Sequence, residues 1–352
     1  MKRILGIAGA TVAISIGIFS LYAFVPGARA LHASGSMQPI ADIILGTPHA
    51  QPVRMLAFGD LMLDRAVRTD IDAEGAGYPF EYLKDWFPGH DIVVANAEGV
   101  FTHNPSVSVA ATSTLRFTFD PQSLATLKQL GFTTLSQANN HALDFGLAGL
   151  RESQGLIQDA GIGPFGDPMN TNPGPLEQTI NGKKIAFIGY HQFTENGDSH
   201  VLAAIEKARA DGAFVIVYPH WGVEYDQGVQ ATQSREAHRF IDAGADLILG
   251  SHPHVIEPIE AYDGKLIFYS LGNFIFDQSM SGPTSIGLAV AITLDDSSAA
   301  YALRPFTISH AQAIPGDQNL QQQVFAMLAA TSIAADDSLV QQIRSGTIMM
   351  KR

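Results

Sequence analysis

Side chains that can bind a metal ion or transfer a proton follow most of the apolar runs of this chain. Each group comes directly after a short stretch of β-branched or other apolar residues that is typical of a buried strand. Ligands of open α/β sheets gather at the carboxyl ends of the strands, so these groups should meet in space. In chain order they are Asp60; Asn96 and Glu98; Asn139, Asn140, His141 and Asp144; His220 and Glu224; His252 and His254; and Asn273 and Asp277.

His252 and His254 have the spacing of a metal-binding pair. On an extended segment, imidazoles two residues apart point to the same side, where they can hold one ion together or one ion each. We therefore interpret both as ligands. An isolated histidine is more often a structural residue. We expect that role for His191, His200, His238 and His310.

Asp60, Glu98, Asn140 and His220 complete a mixed nitrogen and oxygen ligand set. Such a set suits Mn²⁺, Fe²⁺ or Zn²⁺ better than Ca²⁺ or thiophilic ions. These groups are more than one ion needs. We therefore expect two divalent ions about 3.5–4 Å apart, with a bridging carboxylate and a metal-bound water as nucleophile. Asp60 could instead cap a turn, since Gly-Asp is common there, and Asn139 fits a turn better than a ligand position.

His141 and Asp144 have the composition of a catalytic acid and its partner. A carboxylate three residues after the histidine could orient or charge the imidazole, which could then protonate a leaving group. The alternative for Asp144 is a surface role. The pair therefore predicts a general acid beside the metal site.

Four other residues are candidates for contact with the substrate. Arg65 could hold an anionic group. Trp221 follows His220 directly and could line a groove, although an aromatic residue at a strand end is at least as often part of the core. Glu224 and Asn273 belong to the strand-end groups, and we include both as substrate contacts.

The elements that must position these residues alternate between strands and helices, which predicts an α/β fold. Apolar runs predict strands at 53–58, 92–95, 132–135, 185–189, 214–218, 247–249 and 266–269, and closing strands at 287–294 and 301–308. Amphipathic stretches predict helices at 79–87, 121–130, 147–160, 200–210 and 232–243, and two more at 321–330 and 338–343.

Composition limits the class of protein. The 352 residues, 46% of them hydrophobic, can bury one large core or two ordinary ones. A net charge of −13 without a basic run disfavours nucleic acid as a partner. The absence of cysteine excludes disulfides, cysteine nucleophiles and thiolate metal sites.

The N-terminal residues have the pattern of a membrane-targeting segment. Lys2 and Arg3 precede an uncharged, mostly apolar run over 4–25 that is long enough to cross a bilayer. The sequence Ala28-Arg29-Ala30 also fits a signal-peptidase site. A retained anchor and a cleaved signal both remain open, as does a buried core helix. Either targeting role would put the rest of the chain outside the cytoplasmic membrane, with 31–52 as a spacer.

The motif series resembles the CapA or PgsA family of capsule and poly-γ-glutamate synthesis proteins. The strings GDLML, NAEG, NNHALDFG, HWGVEY, GSHPHVIEPIE and SLGNFIFD occur in this order within 53–277. The resemblance implies a calcineurin-like metallophosphoesterase fold, a β-sandwich flanked by helices, in a membrane-anchored domain that faces outward. We predict domain boundaries at 1–30 for the signal anchor or signal peptide, 31–52 for the linker, 53–310 for a CapA-type metallophosphoesterase-like domain and 311–352 for a C-terminal helical extension.

Carried over residue by residue, the resemblance implies a metal site and a proton donor at His141. The implied metal positions are Asp60, Glu98, Asn140, His220, His252 and His254. The wider metallophosphoesterase pattern opens with D-x-H, whereas Leu61 and Met62 follow Asp60 here, which leaves the first metal position open.

Three functions fit these expectations. The chain could be a metal-dependent hydrolase that cleaves a phosphoester or an amide of an anionic envelope polymer. It could instead be a non-catalytic assembly or export component that binds the polymer's carboxylates through metal, together with other membrane subunits. The third alternative is an α/β protein whose site has lost its metal. Divalent ions in the cleft would let an acidic protein bind a polyanion.

Overall fold

A computed structural model describes residues 51–110, 113–278 and 281–352. The membrane segment expected at 1–30 and nearly all of the expected spacer lie outside these residues. Within the described ranges, no helix is both long and apolar enough to cross a membrane.

The strands fall into a nine-stranded sheet, a six-stranded sheet and a two-stranded ribbon. In chain order they are β1 (Val53–Leu61), β2 (Ile92–Ala97), β3 (Val100–Phe101), β4 (Thr118–Phe119), β5 (Thr134–Ser136), β6 (Gly163–Phe165), β7 (Leu176–Ile180), β8 (Lys183–His191), β9 (Phe214–His220), β10 (Leu247–Leu249), β11 (Ile259–Tyr262), β12 (Lys265–Phe268), β13 (Asn273–Ile275), β14 (Ile286–Leu294), β15 (Ser298–Ser309), β16 (Gln312–Pro315) and β17 (Thr347–Lys351).

The helices flank these sheets. They are α1 (Arg65–Glu74), α2 (Ser123–Gln129), α3 (Gly146–Asp159), α4 (Ser199–Ala210), α5 (Ala231–Asp242), α6 (Gln318–Thr331) and α7 (Asp337–Ser345), with 3₁₀ helices at Tyr78–Trp86 and Pro283–Ser285. The predicted mixed α/β organisation, with sheets flanked by helices, is confirmed. Helix α1 was not expected; the carboxylate of Asp64 caps it by accepting the Arg65 N–H.

The position of each strand in its sheet explains how apolar its sequence is. The large sheet runs β16-β15-β14-β1-β2-β5-β6, with β13 on β1 and β17 on β15, and the smaller one runs β11-β12-β10-β9-β8-β7. The central strands β1, β2, β8, β9 and β10 pair in parallel and are buried on both faces. Buried parallel strands have near-continuous apolar runs, which is what made them recognisable in the sequence.

One core lies between the two sheets. Met55 and Ala57 of β1 contribute to it together with Phe187 of β8 and Ile216 of β9. The alternate residues of β1, such as Leu56, contribute to a second core against the helices. Because side chains alternate along a strand, each central strand contributes to two cores. The described residues are therefore layered as helices, sheet, sheet and helices.

The segment 311–352 contains two helices, as expected, but it also contains the strands β16 and β17. Both strands pair with β15 of the large sheet. Val324 and Leu328 of α6 and Ile343 of α7 are buried in the core between the sheets. The two strands were not predicted, because the alternation of apolar residues in such short strands is too brief to stand out.

Two glycines allow the close backbone contacts at the carboxyl ends of the strands. A Cβ atom at Gly59 of β1 would lie 1.8 Å from the carbonyl oxygen of Gly272. A Cβ atom at Gly250 would lie 1.9 Å from the carbonyl oxygen of Tyr269. Any larger residue would therefore push apart the segments that carry Asp60, His252 and Asn273.

Candidate metal centre

A hydrogen-bonded network fixes Asp60 at the carboxyl end of β1. Asn139 donates to Asn96 Oδ1 (2.9 Å), so the Asn96 amide nitrogen can donate to Asp60 Oδ1 (2.8 Å). The same nitrogen lies 3.2 Å from His220 Nδ1. Asp60 Oδ2 accepts the backbone N–H of His252 (3.1 Å). Asp60 is fully buried and aimed at the histidines, and it does not cap a turn.

Asn96 and Asn139 are residues whose role the sequence interpretation missed. Neither was chosen as a site residue, yet both are fully buried and both orient the candidate ligands. The signal was present in the NAEG and NNH strings, because asparagines at or close to the ends of two buried strands need hydrogen-bond partners in the interior.

His252 and His254 reach the site through a turn. Their φ angles are 98° and 59°, in the left-handed region. The expectation of an extended segment was therefore wrong. The bend still brings both imidazoles to one side, with ring centroids 6.0 Å apart. Non-glycine residues in this region carry local strain, and such strain is concentrated at functional sites.

His220, Asn140 and His252 meet at one point. His220 Nε2 lies 2.8 Å from Asn140 Oδ1 and 3.1 Å from His252 Nδ1. Burial, together with the neighbouring His254, lowers the pKa of His252 to about 3. Burial, followed by the neighbouring His252, also lowers the pKa of His220 well below its usual range. Both rings are therefore neutral at pH 7, the protonation state that metal binding requires.

Glu98 is the most unusual carboxyl group of the site. It is 1% exposed, and its Oε2 atom has no hydrogen-bond partner among the described residues. Burial raises its pKa well above the usual range, and the nearby Asp60 carboxylate raises it further. Two buried carboxyl groups with an orphaned oxygen are an arrangement that a cation stabilises.

The donor set fits divalent metal. Asp60, Glu98 and His254 each offer a ligand atom within 4.8 Å of the other two, and so do Glu224, His252 and His254. His254 is common to both groups, which is compatible with two neighbouring ion positions. Glu224, chosen in the sequence analysis as a substrate contact, thus lies among the ligand candidates. The structure brings all six predicted metal positions together.

His141 and Asp144 lie at the rim of this cluster. His141 Nδ1 lies 3.0 Å from Asp144 Oδ2, and the His141 ring lies against Phe117 with centroids 4.1 Å apart. Asp144 also accepts the backbone N–H of Phe117 (2.7 Å). The carboxylate is therefore held in place and orients the imidazole, whose Nε2 is left for a reacting group.

A cavity of about 230 Å³ opens over the cluster. Its walls include Arg65, Glu98, His141, Glu224 and His254. Arg65 Nε pairs with Asp277 Oδ2 at 3.1 Å. One cationic side chain thus stands opposite the candidate ligands, where it can contact an anionic substrate.

Trp221 and Asn273 have different roles from those expected. Trp221 is fully buried, its indole N–H donates to the Tyr269 carbonyl (2.8 Å), and its ring stacks on Phe240 in the core beneath α5. It does not line the cavity. Asn273 is also buried, and it contacts the ligand candidate His254 (2.9 Å) in place of the cavity.

None of the four histidines expected to be structural belongs to the two ligand groups, although the His191 ring lies 6.0 Å from that of His220, its partner on the neighbouring strand. His191 contacts the carbonyl oxygen of Pro168 through Nδ1 (2.7 Å), and His238 pairs with Glu260 (2.8 Å). His200 and His310 are exposed.

Comparison with known proteins identifies the family. Residues 54–278 match the family described as bacterial capsule synthesis protein PGA_cap. The chain is 31% identical over 274 residues to the PGA biosynthesis protein CapA of Bacillus subtilis (strain 168), covering 73% of this chain and 72% of that protein.

Two further relatives are more distant. The capsule biosynthesis protein CapA of Bacillus anthracis is 28% identical over 75% of this chain and 70% of its own length. A probable polyglutamine synthesis accessory protein of Mycobacterium tuberculosis (strain CDC 1551 / Oshkosh) is 27% identical over 45% of this chain and 48% of its own length. The chain therefore belongs to the PGA_cap family of bacterial capsule synthesis proteins, within the metallophosphoesterase-like superfamily.

Proposed function

We propose that this protein acts in the biosynthesis of a capsule or of poly-γ-glutamate through a metal-dependent hydrolase-like centre. The relatives named for these polymers support the biological process. The observation that supports the chemistry is the buried cluster of Asp60, Glu98, His220, His252 and His254, in which Glu98 Oε2 has no partner among the described residues.

The metal would be a divalent ion held by the clustered carboxylates and neutral imidazoles. Mn²⁺, Fe²⁺ and Zn²⁺ fit this donor set, and the two ligand groups that share His254 support a pair of ions. When bound, such ions polarise a substrate oxygen and make water a stronger nucleophile at neutral pH. Asn96 and Asn273 then have the task of keeping Asp60 and His254 in position.

Proton transfer falls to His141. Asp144 holds Nδ1 of the ring, so Nε2 can give a proton to a leaving group in the cavity. Arg65 borders the same cavity and can contact a carboxylate or phosphate of the substrate. The chemistry therefore favours hydrolysis of a phosphoester or an amide within an anionic envelope polymer.

A non-catalytic role is the second candidate. The term accessory protein in the name of the mycobacterial relative favours an assembly or export component that binds the polymer through metal. In either role we propose that the folded part lies outside the cytoplasmic membrane, tethered or secreted through the apolar segment at 4–25. Other membrane subunits of a polymer-synthesis machine would be its partners.

Metal stoichiometry and turnover, measured on the same full-length preparation, test this proposal. We expect close to two transition-metal ions per chain by elemental analysis, and hydrolysis of a phosphoester or a γ-glutamyl amide that a chelator abolishes. Bound metal without turnover on either substrate class would favour the assembly role. No bound metal after reconstitution with Mn²⁺ or Zn²⁺ would contradict both.

A further inference from the structure

A basic cavity of about 420 Å³ lies away from the metal centre, on the face of the nine-stranded sheet opposite the sheet-to-sheet core. The floor of the cavity is made of small side chains. Thr293 of β14 lies opposite Arg54 of β1 on one side and opposite Ala300 of β15 on the other. Ala291 and Ala302 extend this floor. The short side chains leave open space between two arginines.

Two arginine side chains and one imidazole stand around this floor. Arg54 is exposed, Arg304 of β15 is half-buried, and His90 lines the cavity from the turn after the first 3₁₀ helix. Among the described residues that line the cavity, none is acidic. In a chain with a net charge of −13, this local excess of positive charge is unusual.

Neither guanidinium group has a carboxylate partner within the described part of the chain. Arg304 lies over the ring of Trp86, 5.7 Å from its centroid. Partial burial of the Arg304 guanidinium lowers its pKa. The carboxylate of Asp91, which follows His90 in the chain, accepts the backbone N–H of Arg54 (2.8 Å).

We propose that this cavity binds an anion that carries two or more carboxylate or phosphate groups. Arg54 is on β1 and Arg304 is on β15, with β14 between these strands. Arg304 also lies four residues along β15 from Ala300, the residue level with Arg54. Their Cα atoms are therefore on the order of 15 Å apart. Their side chains can therefore contact separate groups of one extended ligand, each through a forked pair of hydrogen bonds. A stretch of polycarboxylate and a polyphosphate are the two sources of this chemistry.

The site is separate from the proposed function. Arg54 lies near the amino end of β1, whereas Asp60 lies near its carboxyl end. None of the described lining residues belongs to the metal cluster. The cavity can therefore bind its ligand whether or not the metal centre turns over.

Calorimetry on the full chain with a γ-linked glutamate tetramer and with inorganic tripolyphosphate tests the proposal. We expect saturable binding of either the tetramer or tripolyphosphate. The double variant Arg54→Gln/Arg304→Gln should bind that ligand with an affinity lower by about tenfold or more. Binding should also change the emission of Trp86, which lies under Arg304. The other tryptophan, Trp221, is fully buried.

The matched control removes two exposed arginines elsewhere, in Arg151→Gln/Arg344→Gln. Metal content and the thermal midpoint should be unchanged in both double variants, which separates this test from that of the metal centre. Loss of tetramer binding would assign a polycarboxylate, and loss of tripolyphosphate binding a phosphate ligand. The proposal is overturned if neither probe binds, or if both double variants lose affinity equally.

Discussion

The Nδ1 atom of His254 lies 2.9 Å from Oδ1 of Asn273. The amide nitrogen of Asn273 donates to the Thr284 carbonyl (3.0 Å) and to Gln278 Oε1 (3.1 Å), so the amide oxygen must face the ring. His254 therefore carries its proton on Nδ1. Its Nε2 lone pair is then free and lies 3.6 Å from Glu98 Oε1. This is the tautomer that a ligand for metal needs.

Replacing Asn273 with Ala should weaken metal binding by about 10–100-fold, because the ring of His254 loses the group that fixes its tautomer and orientation. Asn273→Asp keeps an oxygen that accepts the Nδ1 proton and should retain most of the affinity. Competition with a chromophoric chelator measures both. Equal affinity in wild type and Asn273→Ala would contradict the assignment.

The double variant His252→Ala/His254→Ala should lose bound metal and keep its fold. Both rings are ligand candidates, and no strand pairing among the described residues includes either of them. Elemental analysis measures the bound metal, and circular dichroism measures whether the fold is kept. The control is His200→Ala/His310→Ala, which removes two exposed histidines. Unchanged metal content in the first variant would rule out the ligand assignment.

Replacing His141 with Gln should lower kcat by about 10²–10⁴-fold without removing metal, because the ring serves the leaving group. His103→Gln, at an exposed histidine, is the control. Steady-state kinetics on the substrate identified for the wild type measure kcat, and elemental analysis measures the bound metal. Loss of metal in His141→Gln would mean that His141 is a ligand.

Stability should depend on pH through Glu257, which lies outside the ligand set. Burial raises its pKa to about 8, against the opposing hydrogen bond from Gln233. The folded state thus holds this proton more tightly than the unfolded state does. The contribution is fully present below about pH 4.3, the ordinary value for glutamate, and is lost as the pH rises through about 8.

Glu257→Gln keeps an acceptor for Gln233 and removes the charge. At pH 8 this variant should be more stable than wild type by on the order of 2–4 kcal/mol, and the difference should vanish near pH 4. Urea unfolding at several pH values measures the difference. Glu206→Gln, at an exposed glutamate of α4, should show no such trend. A constant difference at all pH values would contradict the explanation.

The sequence by itself determined the strands and the chemistry at their ends. Continuous apolar runs such as those of β1, β9 and β10 can only be buried, and ligands of parallel sheets gather at the carboxyl ends of the strands. The groups after these runs therefore had to come together. His252 and His254 come together even though the backbone between them is bent and not extended.

Only the tertiary structure decided the role of each side chain within those groups. Trp221 turned into the core, Asn273 turned toward His254, and Glu224 joined the ligand candidates, although all three follow or begin strands at the same edge. The backbone angles of one or two loop residues set the direction of each side chain. These angles depend on contacts such as Gly59 against Gly272, which are distant in sequence and leave no local pattern to detect.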